Sequence, residues 1–205
     1  MSQRSTVKPT YRSVPVATVP KVVGTSVPKS VDDMADALKA KFGADVVKGI
    51  EKAHKGDPFV VVESSRILEV MKFLRDDERF YCTSLSVIGA VDYPVVAPVE
   101  GAPPAPVSPF KNGHVAVIYT VFSYAHRHQL TLKVFVDRDS PRVASISDIY
   151  RAANWYEREC YDMTGVEFSN HPNHIRILLP QDWVGYPLRR DYVFPDEYNG
   201  MKVPL

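Results

Sequence analysis

The side chains best suited to chemistry lie in residues 155–191 of this 205-residue chain. Glu159 and Asp162 are three positions apart, and so are His171 and His174. Carboxylates and imidazoles serve as metal ligands and as general acids and bases. Charged residues are rarely this dense beside large aromatics unless each is paired or faces a partner. The segment therefore suggests two hypotheses, a reactive site or a charged contact surface.

The spacing favours paired structural charges over a metal site. Glu159 and Asp162 could form half of a carboxylate site, but the helical Glu-x-x-His pattern of di-iron bundles is missing. Pro172 disfavours a helix after His171, so the two imidazoles need not converge. A zinc site would need two further ligands, and no suitable pair stands out. A hydrogen-bonded loop histidine is the favoured interpretation. General acid–base work by His171 and a stand-alone carboxylate/His metalloenzyme remain the alternatives.

Composition excludes several other classes of function. A net charge of +1 gives no strong field for nucleic acid or an anionic membrane. Cys82 and Cys160 belong to no CxxC pair, so the chain lacks the ligand set of an iron–sulfur cluster. No phosphate loop, nucleophile elbow or dinucleotide fingerprint is present. The longest apolar run, 115–125, is about half of the ~20 residues that a membrane helix needs. We expect a binding subunit with no catalytic, cofactor-binding or metal-binding residues of its own.

A helix should form the first part of residues 155–191, which we call the dense segment. Ser147 or Asn154 can cap it, and it should run to about Thr164 and end at Gly165. One side of this helix is predicted to comprise Trp155, Glu159 and Asp162. The neighbouring stripe, predicted to face the core, comprises Tyr156, Cys160 and Met163. The charged run also includes Glu157 and Arg158, and Arg158 is expected to pair with Asp162 four positions later.

The last part of the chain is predicted to serve a protein partner. Residues 183–187 should form a tight turn rimmed by aromatics. Arg189 and Arg190 suit phosphate, but the neighbouring Asp191 favours salt bridges to a partner. Residues 186–205 have no helical pattern and cannot bury themselves, so we expect an extended tail that docks on partner subunits or stays disordered.

The preceding elements predict an α+β fold, a mostly antiparallel sheet with helices on one face, plus extended N- and C-terminal tails. Residues 1–29 are basic, rich in proline and expected to be disordered, and 30–185 form the domain. The predicted elements are a helix from Ser30 to Phe42, a strand over 59–62, a helix capped by Ser64 or Ser65 with Ile67, Leu68, Met71 and Leu74 on one face, a strand over 80–91, a Pro-rich loop over 93–110, a hairpin of strands 114–124 and 130–136, and an edge element over 143–146.

Residues 157–172 resemble the signature of the 30 kDa subunit family of respiratory complex I, the family of the subunit designated C in bacterial NADH-quinone oxidoreductase. The residues that carry the resemblance are Glu157-Arg158-Glu159-x-x-Asp162-Met163-x-Gly165-Val166-x-Phe168-x-x-His171-Pro172, Trp183-x-Gly185-x-Pro187-Leu188-Arg189-Arg190-Asp191-Tyr192, Ser145-x-x-Asp148-Ile149-Tyr150 and Asp92-Tyr93. The resemblance covers roughly residues 30–195. The chain departs from the family pattern at Thr164, Ile175 and Tyr186, with Arg176 as the one base left beside Ile175, and these departures put individual partner contacts in doubt.

The resemblance implies a subunit of the peripheral arm without a redox centre. It would dock on the large hydrogenase-like subunit that helps to form the quinone site, near the ferredoxin-like and small cluster-bearing subunits. FMN, the iron–sulfur clusters and quinone would be held by those neighbours while electrons pass from NADH to quinone in a proton-translocating complex. The implied location is peripheral, on the cytoplasmic side of a bacterial inner membrane or, alternatively, the matrix side in a mitochondrion.

One alternative within the family stays open. A membrane-bound hydrogenase or a ferredoxin-fed dehydrogenase could use the same subunit, because it is not expected to touch the electron donor.

Overall fold

In the computed structural model, the described part of the protein comprises residues 27–52, 56–95 and 109–203. Residues 1–26 of the predicted basic tail and residues 96–108 of the predicted Pro-rich loop lie outside it. The beginning of that loop was predicted too early, since Tyr93 and Pro94 still pair with the neighbouring strand. A proline at the end of an edge strand is tolerated because no ladder donor is needed there.

Helix α1 (Val31–Phe42) has the predicted bounds. The Ser30 side chain accepts a hydrogen bond from the Asp33 N–H, and the Asp33 carboxylate accepts one from the Ser30 N–H. This capping box satisfies two donors that the first helical turn leaves open. Gly43 ends the helix with a φ of 91°, as expected of a residue without a Cβ.

Helix α2 (Ile67–Asp76) begins differently from the prediction. A 3₁₀ turn at Ser64–Arg66 leads into it, and neither Ser64 nor Ser65 caps it, because no side-chain hydrogen bond is made at either N-terminus. Leu68 was predicted on its buried face but is 37% exposed. Val70 takes its place, since positions 67, 70, 71 and 74 lie on one side of a helix.

The main sheet has five strands in the order β1-β2-β5-β4-β3. They are β1 (Val47–Glu51), β2 (Phe59–Val62), β3 (Ser84–Pro94), β4 (Gly113–Ser123) and β5 (His128–Asp137). All pairs are antiparallel except β2 with β5, which is parallel. The predicted hairpin and the mostly antiparallel α+β architecture are confirmed, whereas β1 was not predicted and β3 begins after Phe80 rather than at it.

The core lies between this sheet and the helices. The predicted inward face of β5 (Leu130, Leu132, Val134 and Val136) is buried, as are Met34 and Leu38 of α1 and Met71 and Leu74 of α2. Burying side chains of this size stabilises the fold by roughly 1.5–3 kcal/mol each. The domain is thereby a stable platform for the segment that follows.

Helix α3 (Ala153–Thr164) lies against β3, and its buried apolar residues belong to the same core. It stands between β6 (Arg142–Ala144) and β7 (Glu167–Ser169) in the chain, and a small hairpin of β8 (Glu197–Tyr198) and β9 (Met201–Lys202) follows. Strand β6 pairs in parallel with β7 rather than at the edge of the main sheet. Helix α3 ends at Gly165 as predicted, but neither Ser147 nor Asn154 caps it, and its N-cap is Ala152. None of the helices in the described ranges has the length and apolar character that crossing a bilayer requires.

Candidate functional site

The carboxylate of Asp162, in the last turn of α3, holds a surface loop in place. Its side chain is fully buried. Its Oδ2 accepts hydrogen bonds from the backbone N–H groups of Ile177 (3.0 Å), Leu178 (2.7 Å) and Leu179 (2.9 Å). Its Oδ1 accepts one from Arg176 Nη1 at 2.7 Å. Burial alone would raise the pKa of this carboxyl, but the bonds from Leu179, Arg176 and Leu178 more than offset it and hold the pKa below its usual range.

Two arginines complete this fastening. Arg176 also donates from Nη2 to the Gly185 carbonyl at 3.1 Å, so it links α3 to Gly185, nine residues after Arg176 itself. Arg158 does not pair with Asp162 as predicted. Its Nε donates to the Ile175 carbonyl at 3.0 Å, and its guanidinium lies 5.2 Å from the Trp155 ring centroid. The prediction failed because Asp162 points to the incoming loop, where four donors converge, and not along its own helix.

Glu157 lies in the core, although the stripe predicted to face the core did not include it. Its side chain is fully buried, whereas Tyr156 and Met163, predicted to face the core, are only half-buried. Its oxygens accept hydrogen bonds from the Ser145 hydroxyl (2.6 Å) and the Ile146 N–H (2.7 Å). Burial raises the pKa of Glu157 to about 7, against the opposing effect of these two bonds. The carboxyl therefore ties α3 to the chain after β6.

His171 and His174 are hydrogen-bonded loop residues, as the favoured interpretation held. His171 Nε2 lies 3.1 Å from the Asn154 carbonyl and 3.8 Å from Glu157 Oε2, and its Nδ1 accepts from the Asn173 N–H. His174 Nε2 accepts from the Phe168 N–H. Burial lowers the pKa of both histidines. Their rings do converge, with centroids 5.5 Å apart, but both bond to backbone groups.

The described residues contain no group of three His, Cys, Asp or Glu side chains placed to hold a metal ion. Glu159 is exposed while Asp162 is buried, so the two predicted candidates lie in different surroundings. Cys82 and Cys160 are free and buried, and burial raises the pKa of each thiol to about 12. Such thiols are inert at neutral pH.

Arg189 and Asp191 bond within the chain, although salt bridges to a partner were predicted for Arg189 and Arg190. Arg189 donates from Nε to the Thr164 carbonyl at 2.7 Å, and Asp191 pairs with Arg138 at 2.6 Å. The Leu188 N–H donates to the Met163 carbonyl at 2.9 Å. The Arg190 side chain is exposed. The first residues of the segment 186–205 are therefore held on the domain, so residue 186 does not mark the beginning of a free extension.

Gly165 and Tyr186 meet where this segment crosses the end of α3. Gly165 has a φ of 77°, and a Cβ there would lie 2.6 Å from Tyr186 Cε2. The Tyr186 ring also lies 5.3 Å from the guanidinium carbons of both Arg176 and Arg189. Glycine is required by the backbone conformation and by this close approach.

Asp92 and Arg138 belong to the site, although they lie far from residues 155–191 in the sequence. Arg138 pairs with the buried Asp92 at 2.7 Å as well as with Asp191, and Asp92 accepts a hydrogen bond from the Arg190 N–H. The family resemblance pointed to Asp92, but no sequence signal marked Arg138. These residues come together only because β3 and β5 lie on either side of β4 in the sheet.

The fastened loop displays apolar side chains. We call Ile175, Leu178, Val184, Leu188 and Val193 the apolar loop surface, and these residues are 46–85% exposed. Trp155 is 64% exposed, and its ring contacts Arg158, which bonds to the Ile175 carbonyl. Exposed apolar side chains mark interaction sites where they form a patch. Arg158, Asp162 and Arg176 thus bond inward, whereas the side chains of the apolar loop surface face solvent.

This arrangement defines a class of protein, an α+β protein whose buried charges hold a displayed loop. The sequence profile of the family described as respiratory-chain NADH dehydrogenase, 30 Kd subunit, matches residues 60–198. The chain belongs to this family.

Curated relatives agree with this assignment. The chain is similar to the NADH-quinone oxidoreductase subunit designated C of Chloroherpeton thalassium, with 37% identity over 82% of this chain and 62% of that one. It is similar to the subunit of the same name of Chlorobium phaeobacteroides, with 34% identity over 82% of this chain and 92% of that one. The chain thus spans less than two thirds of the first relative and nearly all of the second.

Solved structures share the fold. One is the trypsin-resistant fragment (1–134) of Nqo5, with a TM-score of 0.50 and 23% identity over 68% of this chain and 98% of that one. Another belongs to a membrane-bound sulfane sulfur reductase, an archaeal respiratory membrane complex, with a TM-score of 0.50 and 19% identity over 79% of this chain and 85% of that one. At these identities the likeness is one of fold.

Proposed function

We propose that this chain is a non-redox scaffold subunit in the peripheral arm of a proton-translocating NADH-quinone oxidoreductase. It docks on the large hydrogenase-like subunit at the quinone site, beside the ferredoxin-like and small cluster-bearing subunits. FMN, the iron–sulfur clusters and quinone belong to those neighbours. This chain supports electron transfer from NADH by holding the neighbouring subunits at fixed positions. Its location is peripheral, on the cytoplasmic side of a bacterial inner membrane. Its family membership supports this proposal.

The single observation that carries the docking role is that Asp162 fastens residues 176–179, which include Leu178 of the apolar loop surface. Three successive backbone N–H groups and the Arg176 guanidinium bind one buried carboxylate. A loop held in this way loses little conformational entropy when a partner binds it. Electron tunnelling and quinone chemistry depend on fixed distances between subunits, so a rigid display suits a scaffold.

The proposal is tested by placing a charge on the apolar loop surface. Leu178 is 61% exposed, so Leu178→Glu should leave the isolated chain folded, with an unchanged thermal midpoint. Burying the new carboxylate at an interface is costly, so recovery of the tagged chain with the whole complex should fall about tenfold or more. Tyr124→Glu, at a 73% exposed position in the β4–β5 turn, is the matched control. Wild-type recovery of the Leu178→Glu complex would contradict the proposal.

Two alternatives are separated by other observations. A subunit of a membrane-bound hydrogenase or a ferredoxin-fed dehydrogenase would be encoded without NADH-binding subunits beside it. A stand-alone metalloenzyme using Glu159, Asp162, His171 and His174 would hold stoichiometric metal, which elemental analysis of the purified chain would detect.

A further inference from the structure

A cavity lies between the turn at residues 182–184 and the C-terminal hairpin. Its volume is about 260 Å³. Most of its wall is aromatic or aliphatic, contributed by Trp183, Val184, Tyr192, Val193, Pro195 and Tyr198. A cavity of about 150 Å³ already accepts a benzene-sized group. There is therefore room for one large apolar side chain.

The wall contains a buried donor without an acceptor. Trp183 Nε1 is inaccessible to solvent and has no hydrogen-bond partner among the described residues. Tyr198 packs against the indole with ring centroids 5.0 Å apart, but its hydroxyl donates to Asp182 Oδ1 at 2.8 Å. Buried indole N–H groups ordinarily find an acceptor. The Trp183 donor is covered by the protein, so it makes no contact with an occupant of the cavity.

The rim of the cavity is acidic. Asp182 and Glu197 line it, and the exposed Asp196 is next to them. Lys202 lies opposite Glu197 in the hairpin, and within the described ranges no ion pair joins these two side chains. Val184 and Val193, which also line the cavity, are each 85% exposed. An apolar floor with an acidic rim favours an occupant that combines an apolar group with a positive charge.

We propose that this cavity binds an extended segment of a neighbouring subunit that carries an apolar side chain next to a lysine or arginine. The apolar side chain fills the cavity lined by Trp183 and Tyr198, and the basic side chain meets Glu197 and Asp182. The inference rests on the proposed function, because it needs a neighbouring subunit against the C-terminal segment. Val184 and Val193 belong to both the cavity wall and the apolar loop surface, so the cavity extends that surface with a chemically selective contact.

Fluorine NMR of the full chain labelled with 5-fluorotryptophan tests the selectivity directly. The chain has two tryptophans, so Trp155 is an internal control, and Trp155→Phe assigns the two signals. The probe is the capped dipeptide acetyl-Leu-Lys-amide, compared with acetyl-Leu-Glu-amide and acetyl-Gly-Lys-amide. The first should shift the Trp183 signal saturably and bind about fivefold or more tightly than either control at low ionic strength. Equal effects of the three probes, a joint shift of both signals, or no shift at millimolar probe would overturn the proposal.

Assembly of the whole complex separates this inference from the proposed function. Trp183→Ala removes an aromatic wall of the cavity at a position outside the core cluster, and it should lower recovery of the complex about fivefold. Glu197→Gln should weaken the salt dependence of that recovery. If Trp183→Ala assembles normally while Leu178→Glu does not, the cavity has no docking role and the scaffold function stands. If both variants assemble normally, both proposals are wrong.

Discussion

Asp162 and Arg176 form a buried ion pair that joins the end of α3 to a loop fourteen residues further along the chain, with 2.7 Å between Oδ1 and Nη1. Helical spacing had favoured Arg158, four positions before Asp162, as the partner of this carboxylate. Because Asp162 also accepts three backbone N–H bonds, its charge is satisfied in an interior position where a lone carboxylate would be costly. The relationship makes Asp162 the residue on which the displayed loop most depends.

Asp162→Asn should therefore unfold the loop and destabilise the domain. The neutral amide offers one acceptor where two oxygens served four donors, and it leaves the Arg176 guanidinium without its counter-charge. We expect the free energy of unfolding in urea to fall by about 3–5 kcal/mol. Glu159→Gln, the matched change at an exposed position of the same helix, should alter it by less than about 0.5 kcal/mol. Equal effects of the two changes would show that Asp162 is not the fastening residue.

Glu157 should make stability depend on pH. Burial raises its folded pKa to about 7 from an ordinary value of 4.5, so the folded state favours the protonated acid. The stabilisation that the protonated acid provides is fully present below the unfolded pKa. It is lost as the pH rises through about 7, which lowers the free energy of unfolding by about 3 kcal/mol. His171 beside it acts in the opposite direction, because its lowered pKa costs stability as the pH falls.

Glu157→Gln should remove the loss at higher pH, since glutamine imitates the protonated acid toward Ser145 and Ile146. The difference in thermal midpoint between variant and wild type should grow from pH 5 to pH 8 in favour of the variant. A difference that stays constant over this range would mean that Glu157 is already ionised in the folded state at pH 5.

Gly165→Ala should weaken the contact of the C-terminal segment with α3. A Cβ at this position meets the Tyr186 ring and occupies a left-handed conformation, so we expect a loss of about 2 kcal/mol in unfolding free energy. Gly89→Ala is the control, because nothing lies within 4 Å of a Cβ there, and it should leave stability unchanged or slightly raised. Circular dichroism during urea unfolding measures both. A Gly165→Ala midpoint equal to wild type would show that Tyr186 moves away at no cost.

Deleting residues 196–205 should weaken association with the complex and leave the domain folded. The hairpin meets the rest of the chain through Tyr198, which bonds Asp182 and packs on Trp183, both outside the core cluster. The thermal midpoint of the isolated chain should stay within a few degrees of wild type, while recovery with the complex falls. A collapse of the midpoint would place the hairpin in the core of the domain.

Much of the fold was predictable because its signals are local. The capping box at Ser30, the glycine that ends α3 and the alternation along β5 depend on residues within a few positions of each other. Strand β1 escaped prediction because Val47–Glu51 is short, contains Gly49 and has one fully buried residue. The family signature singled out residues 157–172, but it did not say which of their charges are buried.

By itself, the sequence determined three helices, most strands of the main sheet and the family, since these follow from periodicity, caps and residue identity. Only the tertiary structure decided the partners of the charges. Asp162 takes Arg176 instead of Arg158, Glu157 enters the core, and Asp191 meets Arg138 across fifty-three positions. The physical reason is that a charge is paired wherever desolvation would otherwise be most costly, and that place depends on which parts of the chain approach each other in space.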